Sequence, residues 1–219
     1  MRTIPAKKYI QWSQLLDWAG AEHYRMLFTG SAERHHRTEV MLPRLVEKGK
    51  LRRQKYGAKF VYIAPKFKKL PRIENIEHGL GVTEGLVRFW RSDMTAEIIP
   101  SRFFRGMGNV PEWGMRFDDG LILYEFCTRS NVYARLKKKV ETYKLSLYKI
   151  EEKFGVAYVL FVCDISREYV RHFQPKPDWA MFTDYETFKS VPIGQQLTAP
   201  IYFWCDGKER PFRYGLEPD

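Results

Sequence analysis

The segment from Pro111 to Cys127, PEWGMRFDDGLILYEFC, holds the residues best placed to do chemistry. It reads as two strands around Asp118–Asp119–Gly120, because an Asp-Gly turn between alternating runs is a strong hairpin signal. Glu112 lies on the first strand and Glu125 on the second, so the two carboxylates can face each other across the pair. Such a pair can hold a hard divalent cation, Mg²⁺ or Mn²⁺, with waters and phosphate oxygens completing the shell. The second strand is apolar on both faces, and a carboxylate set into it is costly unless paired. Three partners are open for Glu125: a metal ion, a basic side chain, or solvent. Arg116 and the lysines Lys137, Lys138 and Lys139 are the basic candidates. Asp118 and Asp119 serve the turn.

The elements that must position these residues follow from periodicity. Leu136, Val140, Tyr143, Leu147 and Ile150 recur at spacings of four and three, which predicts a long helix after the hairpin, stopped by Gly155. VAYVLFVCD then reads as a buried strand, SREYVRHF as a helix and PIYFWCDG as a final strand. Strands and helices in this order predict an α/β unit with a mixed sheet. The front of the chain differs. IQWSQLLDWAG predicts a helix closed by Gly20, AEHYRMLFTG a second one, and Val40, Leu42, Leu45 and Val46 a third, ended by Gly49. Pro43 is awkward there and implies a kink or a late start. LRRQKYGAKFVYIA predicts a hairpin with a basic tip. Helices followed by a basic hairpin predict a winged helix-turn-helix over residues 1–66. APKFKKLPR, with two prolines, marks a boundary, with a linker at 67–72 and the α/β domain at 73–219.

The charge is divided between these parts. Residues 1–72 carry 17 Lys and Arg against 5 Asp and Glu, whereas the remainder carry 20 against 21, so the first third accounts for the whole net charge of +11. Concentrated positive charge attracts polyanions, nucleic acid first. On a winged helix, Arg34, His35, Arg37 and Thr38 are candidates for the major groove, and Arg44 is a further DNA-binding candidate. Arg52, Arg53, Lys55 and Lys59 on the wing are candidates for phosphate or minor-groove contact. His35 and His36 have no Cys or carboxylate spacing that would suggest a metal. The three cysteines, Cys127, Cys163 and Cys205, form no CxxC pair and predict free thiols in a cytoplasmic setting. No apolar run is long enough to span a membrane, and no signal peptide is evident.

The pattern Pro111–Glu112 followed by Glu125–Phe126–Cys127 resembles the P-(D/E)…(D/E)-x-K outline of the restriction-endonuclease-like fold, with cysteine in the lysine slot. One of Lys137 to Lys139 would then reach in from the helix, as displaced lysines do in relatives of that fold. A wider resemblance runs through IEHGLGVTEGLVRF, AEIIPSR, PEWGMRFDDGLILYEFCTRSN, LKKKVETY and YVLFVCDISREYV. Their order is similar to that of the plasmid replication-relaxation family, which joins a winged helix to a nuclease-like α/β domain. The resemblance matches His78, Val82, Glu97, Glu112, Glu125, Lys139 and Tyr143 to that family's motif positions. Cys127 stands where the family commonly has Asp, and Ser130 where it has Thr. The resemblance implies a double-stranded DNA-binding protein of a plasmid or other mobile element, acting in replication, relaxation or transfer. Its nuclease-like domain would be degenerate, or a platform for a second copy or for other replication or transfer proteins. A second expectation is a Mg²⁺- or Mn²⁺-dependent endonuclease with Glu112, Glu125 and Lys139 catalytic and Glu97, or Glu77, completing the metal set. A third is a winged-helix transcriptional regulator.

Overall fold

A computed structural model describes residues 6–16, 18–28, 32–67, 72–92, 97–117, 120–128, 132–174, 176–190, 201–205 and 208–212. The chain forms two compact units, Met1–Arg91 and Ser92–Asp219. The division falls at the end of a helix and not in the proline-rich basic segment at 64–72. The helix after that segment therefore belongs to the first unit, which moves the expected boundary by about one helix.

The first unit runs α1 (Ala6–Leu16), β1 (Trp18–Gly20), α2 (Ala21–Phe28), α3 (Ala32–Glu47), β2 (Arg52–Tyr56), β3 (Lys59–Ile63) and α4 (Ile73–Ser92). The expected first helix stops at Leu16, and Trp18–Gly20 instead pairs antiparallel with β3, giving a three-stranded sheet in the order β1-β3-β2. Helix α3 runs through Pro43, which has no N–H to donate to the Glu39 carbonyl. It ends in a Schellman motif, with Gly49 N–H on the Val46 carbonyl at 2.9 Å and Lys50 N–H on the Leu45 carbonyl at 2.8 Å. Gly49 adopts the left-handed conformation this requires, at φ 65°. Gly57 does the same at the two-residue turn of the β2–β3 hairpin, at φ 57°.

Helix α4 is held by both polar and apolar contacts. Ile76 packs with Val61 and Ile63, and Trp18, Tyr56, Phe67 and Leu80 close the cluster. The Thr83 hydroxyl donates to the main-chain carbonyls of Leu16 and Trp18. His23 of α2 accepts the Gly20 N–H at Nδ1 (2.9 Å) and meets Glu84 of α4 at 3.1 Å, while Arg88 Nε donates to the same carboxylate at 2.6 Å. The carboxyl is buried, which raises its pKa, but His23 and then Arg88 outweigh that and lower it overall.

The second unit runs β4 (Glu97–Pro100), a 3₁₀ turn (Ser101–Phe104), β5 (Trp113–Phe117), β6 (Gly120–Cys127), α5 (Val132–Phe154), β7 (Ala157–Cys163), α6 (Arg167–His172), β8 (Ala180–Asp184), α7 (Tyr185–Ser190), β9 (Ile201–Cys205) and β10 (Lys208–Phe212). Seven strands form one mixed sheet in the order β10-β9-β8-β7-β6-β5-β4. β4, β5 and β6 are antiparallel neighbours, β6, β7 and β8 are parallel, and β8, β9 and β10 are antiparallel again. The unit is thus mixed α/β, as expected. β8, α7 and β10 are elements the sequence reading did not contain.

β6 is buried along Leu121–Cys127, as a central strand should be. Its Leu121, Leu123 and Cys127 share a core with Leu136, Val140, Tyr143, Leu147 and Ile150 of α5, the stripe read from the sequence. Gly155 ends α5 with a left-handed φ of 87°.

Gly79 of α4 is a test of the first unit's packing. A Cβ there would lie 1.8 Å from Cε3 of Trp18, so the indole lies directly on the helix backbone. Alanine gains about 1 kcal/mol of helix propensity but must displace that ring. Gly79→Ala is therefore expected to destabilise by about 1–3 kcal/mol. Urea unfolding followed by Trp fluorescence measures this, and a stabilised variant would contradict the packing.

Candidate functional site

Glu125 is the buried carboxylate on which the site is built. Side chains alternate along β6, so Leu121, Leu123, Glu125 and Cys127 share the face that packs on α5. Glu125 is 0% exposed. Two residues one helical turn apart on α5 reach it: Lys139 donates to Oε2, and the Tyr143 hydroxyl donates to Oε1 at 2.7 Å. A third donor comes from the loop before β5, where Asn109 Nδ2 lies 3.3 Å from Oε1. Of the three partners open from the sequence, the basic side chain is the one present, and it is Lys139 rather than Arg116. Arg116 instead pairs with Glu97 at 3.3 Å, in a solvent-exposed contact between β4 and β5.

Glu112 lies beside Glu125. Trp113 is registered with Tyr124, and just before it the Glu112 N–H donates to the Tyr124 carbonyl at 3.0 Å, which keeps Glu112 near Glu125 at the end of the hairpin. Burial pushes the Glu125 pKa up; Lys139 opposes this and the Glu112 carboxylate adds to it. For Lys139, burial pulls the pKa down, but Glu125, with Cys127 and Glu112, together outweigh it and the net shift is upward. Tyr143 is held well above its ordinary range by burial and then by Glu125. Cys127 adds to the field at both Lys139 and Tyr143. Cys127 and Cys163 are buried free thiols, registered on neighbouring strands. Their mutual hydrogen bond, then burial, raises the Cys163 pKa.

Glu112, Glu125 and Lys139 therefore converge, but Glu97 does not join them. It is registered with Arg116, four positions along the sheet from the Glu112 row, or about 13 Å at strand spacing. Glu77 lies on α4 of the first unit, where it accepts the Tyr56 hydroxyl at 2.5 Å. His78 and Val82 lie on that same helix. Among the described residues, no three His, Cys, Asp or Glu side chains are grouped to hold a metal ion. Both Glu125 oxygens already accept hydrogen bonds, and Oε2 is taken by an ammonium group. In this arrangement Lys139 holds the position on Oε2 that a divalent ion ligated there would compete for. Asn109 went unrecognised in the sequence, where a lone asparagine between Gly108 and Val110 carries no signal.

In the first unit, Arg44, Arg53, Lys55 and Lys59 are exposed. Two expected groove or wing contacts are placed otherwise. Thr38 is fully buried with its hydroxyl 3.1 Å from that of Tyr9, because it lies on the inner face of α3. Arg52 alternates to the half-buried face of β2 and donates to the Phe67 carbonyl at 2.7 Å. Arg53, on the outer face, lies 4.7 Å from the centroid of Phe60, which is itself exposed. Lys59 Nζ is 3.7 Å from Glu22. The side chains of Arg34, His35 and Arg37 lie outside the described residues. Among the described residues no helix is long and apolar enough to cross a membrane.

No protein-family model, curated protein or solved structure matches this chain.

The Lys139–Glu125 contact makes a pH-dependent prediction. In Lys139→Met, Glu125 loses the influence that lowers its pKa, while burial and Glu112 still raise it. The folded state then binds a proton more tightly than the unfolded chain. Stability is retained near pH 5 and lost as pH rises from the ordinary Glu range through the raised folded pKa. The variant is expected to lose about 2–4 kcal/mol relative to wild type at pH 8, and much less at pH 5. Urea unfolding at the two pH values checks this, and a deficit independent of pH would contradict it.

Proposed function

We propose that this chain binds double-stranded DNA through its first unit and serves a plasmid or other mobile element in replication, relaxation or transfer. The observation that carries the DNA-binding reading is the location of charge. The excess of 17 Lys and Arg over 5 Asp and Glu lies within residues 1–72, and Arg44, Arg53, Lys55 and Lys59 are exposed there. Arg53, Lys55 and Lys59 belong to one hairpin, with Arg53 and Lys55 on the outer face of β2. The order helix, short strand, helix, helix, hairpin, with β1 completing the sheet, supports reading this unit as a winged helix. In that reading α3 enters the major groove and the hairpin rides on the backbone. The assignment to a mobile element rests on the resemblance of the sequence motifs alone.

The second unit is read as a degenerate relative of the restriction-endonuclease-like fold. Support comes from the antiparallel run β4-β5-β6 followed by the α5 crossover into parallel β7. The position of Lys139, reaching from the helix to the strand acid while Cys127 fills the usual lysine slot, supports it further. With Glu125 engaged by Lys139, Tyr143 and Asn109, this unit is read as a scaffold and not as a metal-dependent nuclease. The convergence of Glu112, Glu125 and Lys139 is what favours the endonuclease reading as the alternative.

Two measurements test these readings. Replacing Arg53, Lys55 and Lys59 by Ala is expected to weaken binding to all duplex sequences alike. The slope of log K against log salt should become shallower by about 2–3, close to one per lost phosphate contact. An unchanged slope would remove the hairpin from the interface. Supercoiled plasmid incubated with the protein and Mg²⁺ or Mn²⁺ should stay intact. Nicking that disappears in Glu125→Gln would establish the enzyme instead.

A further inference from the structure

The turn between β4 and β5 is built to present one aromatic ring and two arginines. Residues 101–111, SRFFRGMGNVP, contain Arg102 and Arg105 and no acidic residue. The segment is fixed at several points. Phe104 is fully buried, and it fits because Gly114 on β5 has no side chain; a Cβ there would lie 2.7 Å from the Phe104 ring. Met107 N–H closes the turn on the Phe104 carbonyl at 3.2 Å. Gly106 and Gly108 take left-handed φ values of 85° and 104°. A Cβ on Gly108 would lie 2.2 Å from Cβ of Ser146, so the loop backbone rests directly on α5. Asn109 then reaches Glu125 at 3.3 Å.

A loop fixed at Phe104, Gly108 and Asn109 still leaves two apolar side chains, Phe103 and Val110, exposed, and only Phe103 is aromatic. Phe103 is 48% exposed, with the Arg102 guanidinium 5.2 Å from its ring centroid and Arg105 exposed two residues on. A flat, pre-positioned ring flanked by cations, with no acid in the segment, suits a ligand that has both a π-face and negative charge. Nucleotides have both. A base can stack on Phe103 only if it is unpaired, because a paired base is already covered on both faces by its neighbours. The guanidiniums of Arg102 and Arg105 would meet the phosphates on either side.

We propose that Phe103, with Arg102 and Arg105, forms a stacking site for an unpaired nucleotide of DNA. It would give the chain a preference for duplex interrupted by a single-stranded stretch. This deepens the DNA-binding reading above and rests on it. The first unit holds duplex; the Phe103 loop selects the place where strands are apart.

The test uses the full chain and fluorescence anisotropy on two labelled DNAs: an intact duplex, and the same duplex with a gap of about six unpaired nucleotides. The gapped DNA is expected to bind about tenfold more tightly, as one or two stacked bases would give. Phe103→Ala should abolish that gain and leave binding to intact duplex unchanged. Phe103→Trp should retain the gain, with indole emission quenched by gapped but not by intact DNA, whereas Phe103→Leu should not retain it. Since Phe103 is surface-exposed, all three variants should melt with the wild type. Equal affinity for the two DNAs, or full rescue by Leu, would overturn the stacking site while leaving duplex binding in place. Binding to neither DNA would overturn the proposed function as well. Tighter binding to a ribonucleotide stretch in the gap than to DNA would overturn the assignment to DNA.

Discussion

A carboxylate in the middle of a parallel strand pair, with no water to solvate it, has to find its hydrogen-bond donors within the protein. Glu125 is in that position, and much of the second unit is arranged around its needs. Lys139 and Tyr143 satisfy it only because they lie one turn apart on the face of α5 that meets the sheet. That fixes the rotation of α5 about its axis as firmly as the apolar stripe does. Asn109 satisfies it only because the loop passes close over α5, which the absence of a side chain at Gly108 permits. Register is constrained in the same way. A one-residue slip of β6 would turn Glu125 to the face of Ile122, Tyr124 and Phe126. On that face Tyr124 stacks on Trp113 at 4.4 Å and Phe126 packs edge-on to Tyr185. Buried ion pairs add little net stability, but the loss of one partner is expensive. The cluster therefore acts more on which structure forms than on how stable it is.

The most legible features in the sequence were those carried by strong periodicity. The α5 stripe, the buried run of β6 and the glycine stops at Gly49 and Gly155 lie where the pattern placed them. Elements whose identity depends on a distant partner were not legible. Trp18–Gly20 is a strand only because β3 offers it hydrogen bonds, and three residues after a helix carry no alternation of their own. β8 is five residues long and buried throughout, so it carries no alternation of its own. Arg52 and Thr38 were misplaced for a related reason. Composition says that a segment is basic or polar, but the phase of the strand or helix decides which side chain turns inward.

The same limit explains the displaced boundary. APKFKKLPR has the composition of a linker, and composition says nothing about what the following helix packs on. α4 offers Ile76, Thr83, Glu84, Leu86 and Val87 as a continuous buried surface, and Thr83 and Glu84 find their partners on α1, β1 and α2. A helix whose polar groups are satisfied by one unit belongs to that unit, wherever the prolines lie.

Glu84 and Glu125 are buried acids of the same type in opposite electrostatic settings. Glu84 has His23 and Arg88 against it, and their pull exceeds the cost of burial, so it stays ionised and ties two helices together. Glu125 has one ammonium group, a phenol and an amide, but it also has Glu112 nearby, and burial keeps its pKa raised. An acid whose task is only to tie elements together has no use for a second carboxylate near it. The Glu112 carboxylate makes Glu125 harder to ionise while it favours the charged form of Lys139. Conflicts of this kind, which local packing does not require, concentrate where a surface has work to do. Asn109 joins this cluster directly to the loop that carries Phe103. The pair of acids and the exposed ring thus stand at the two ends of one short segment.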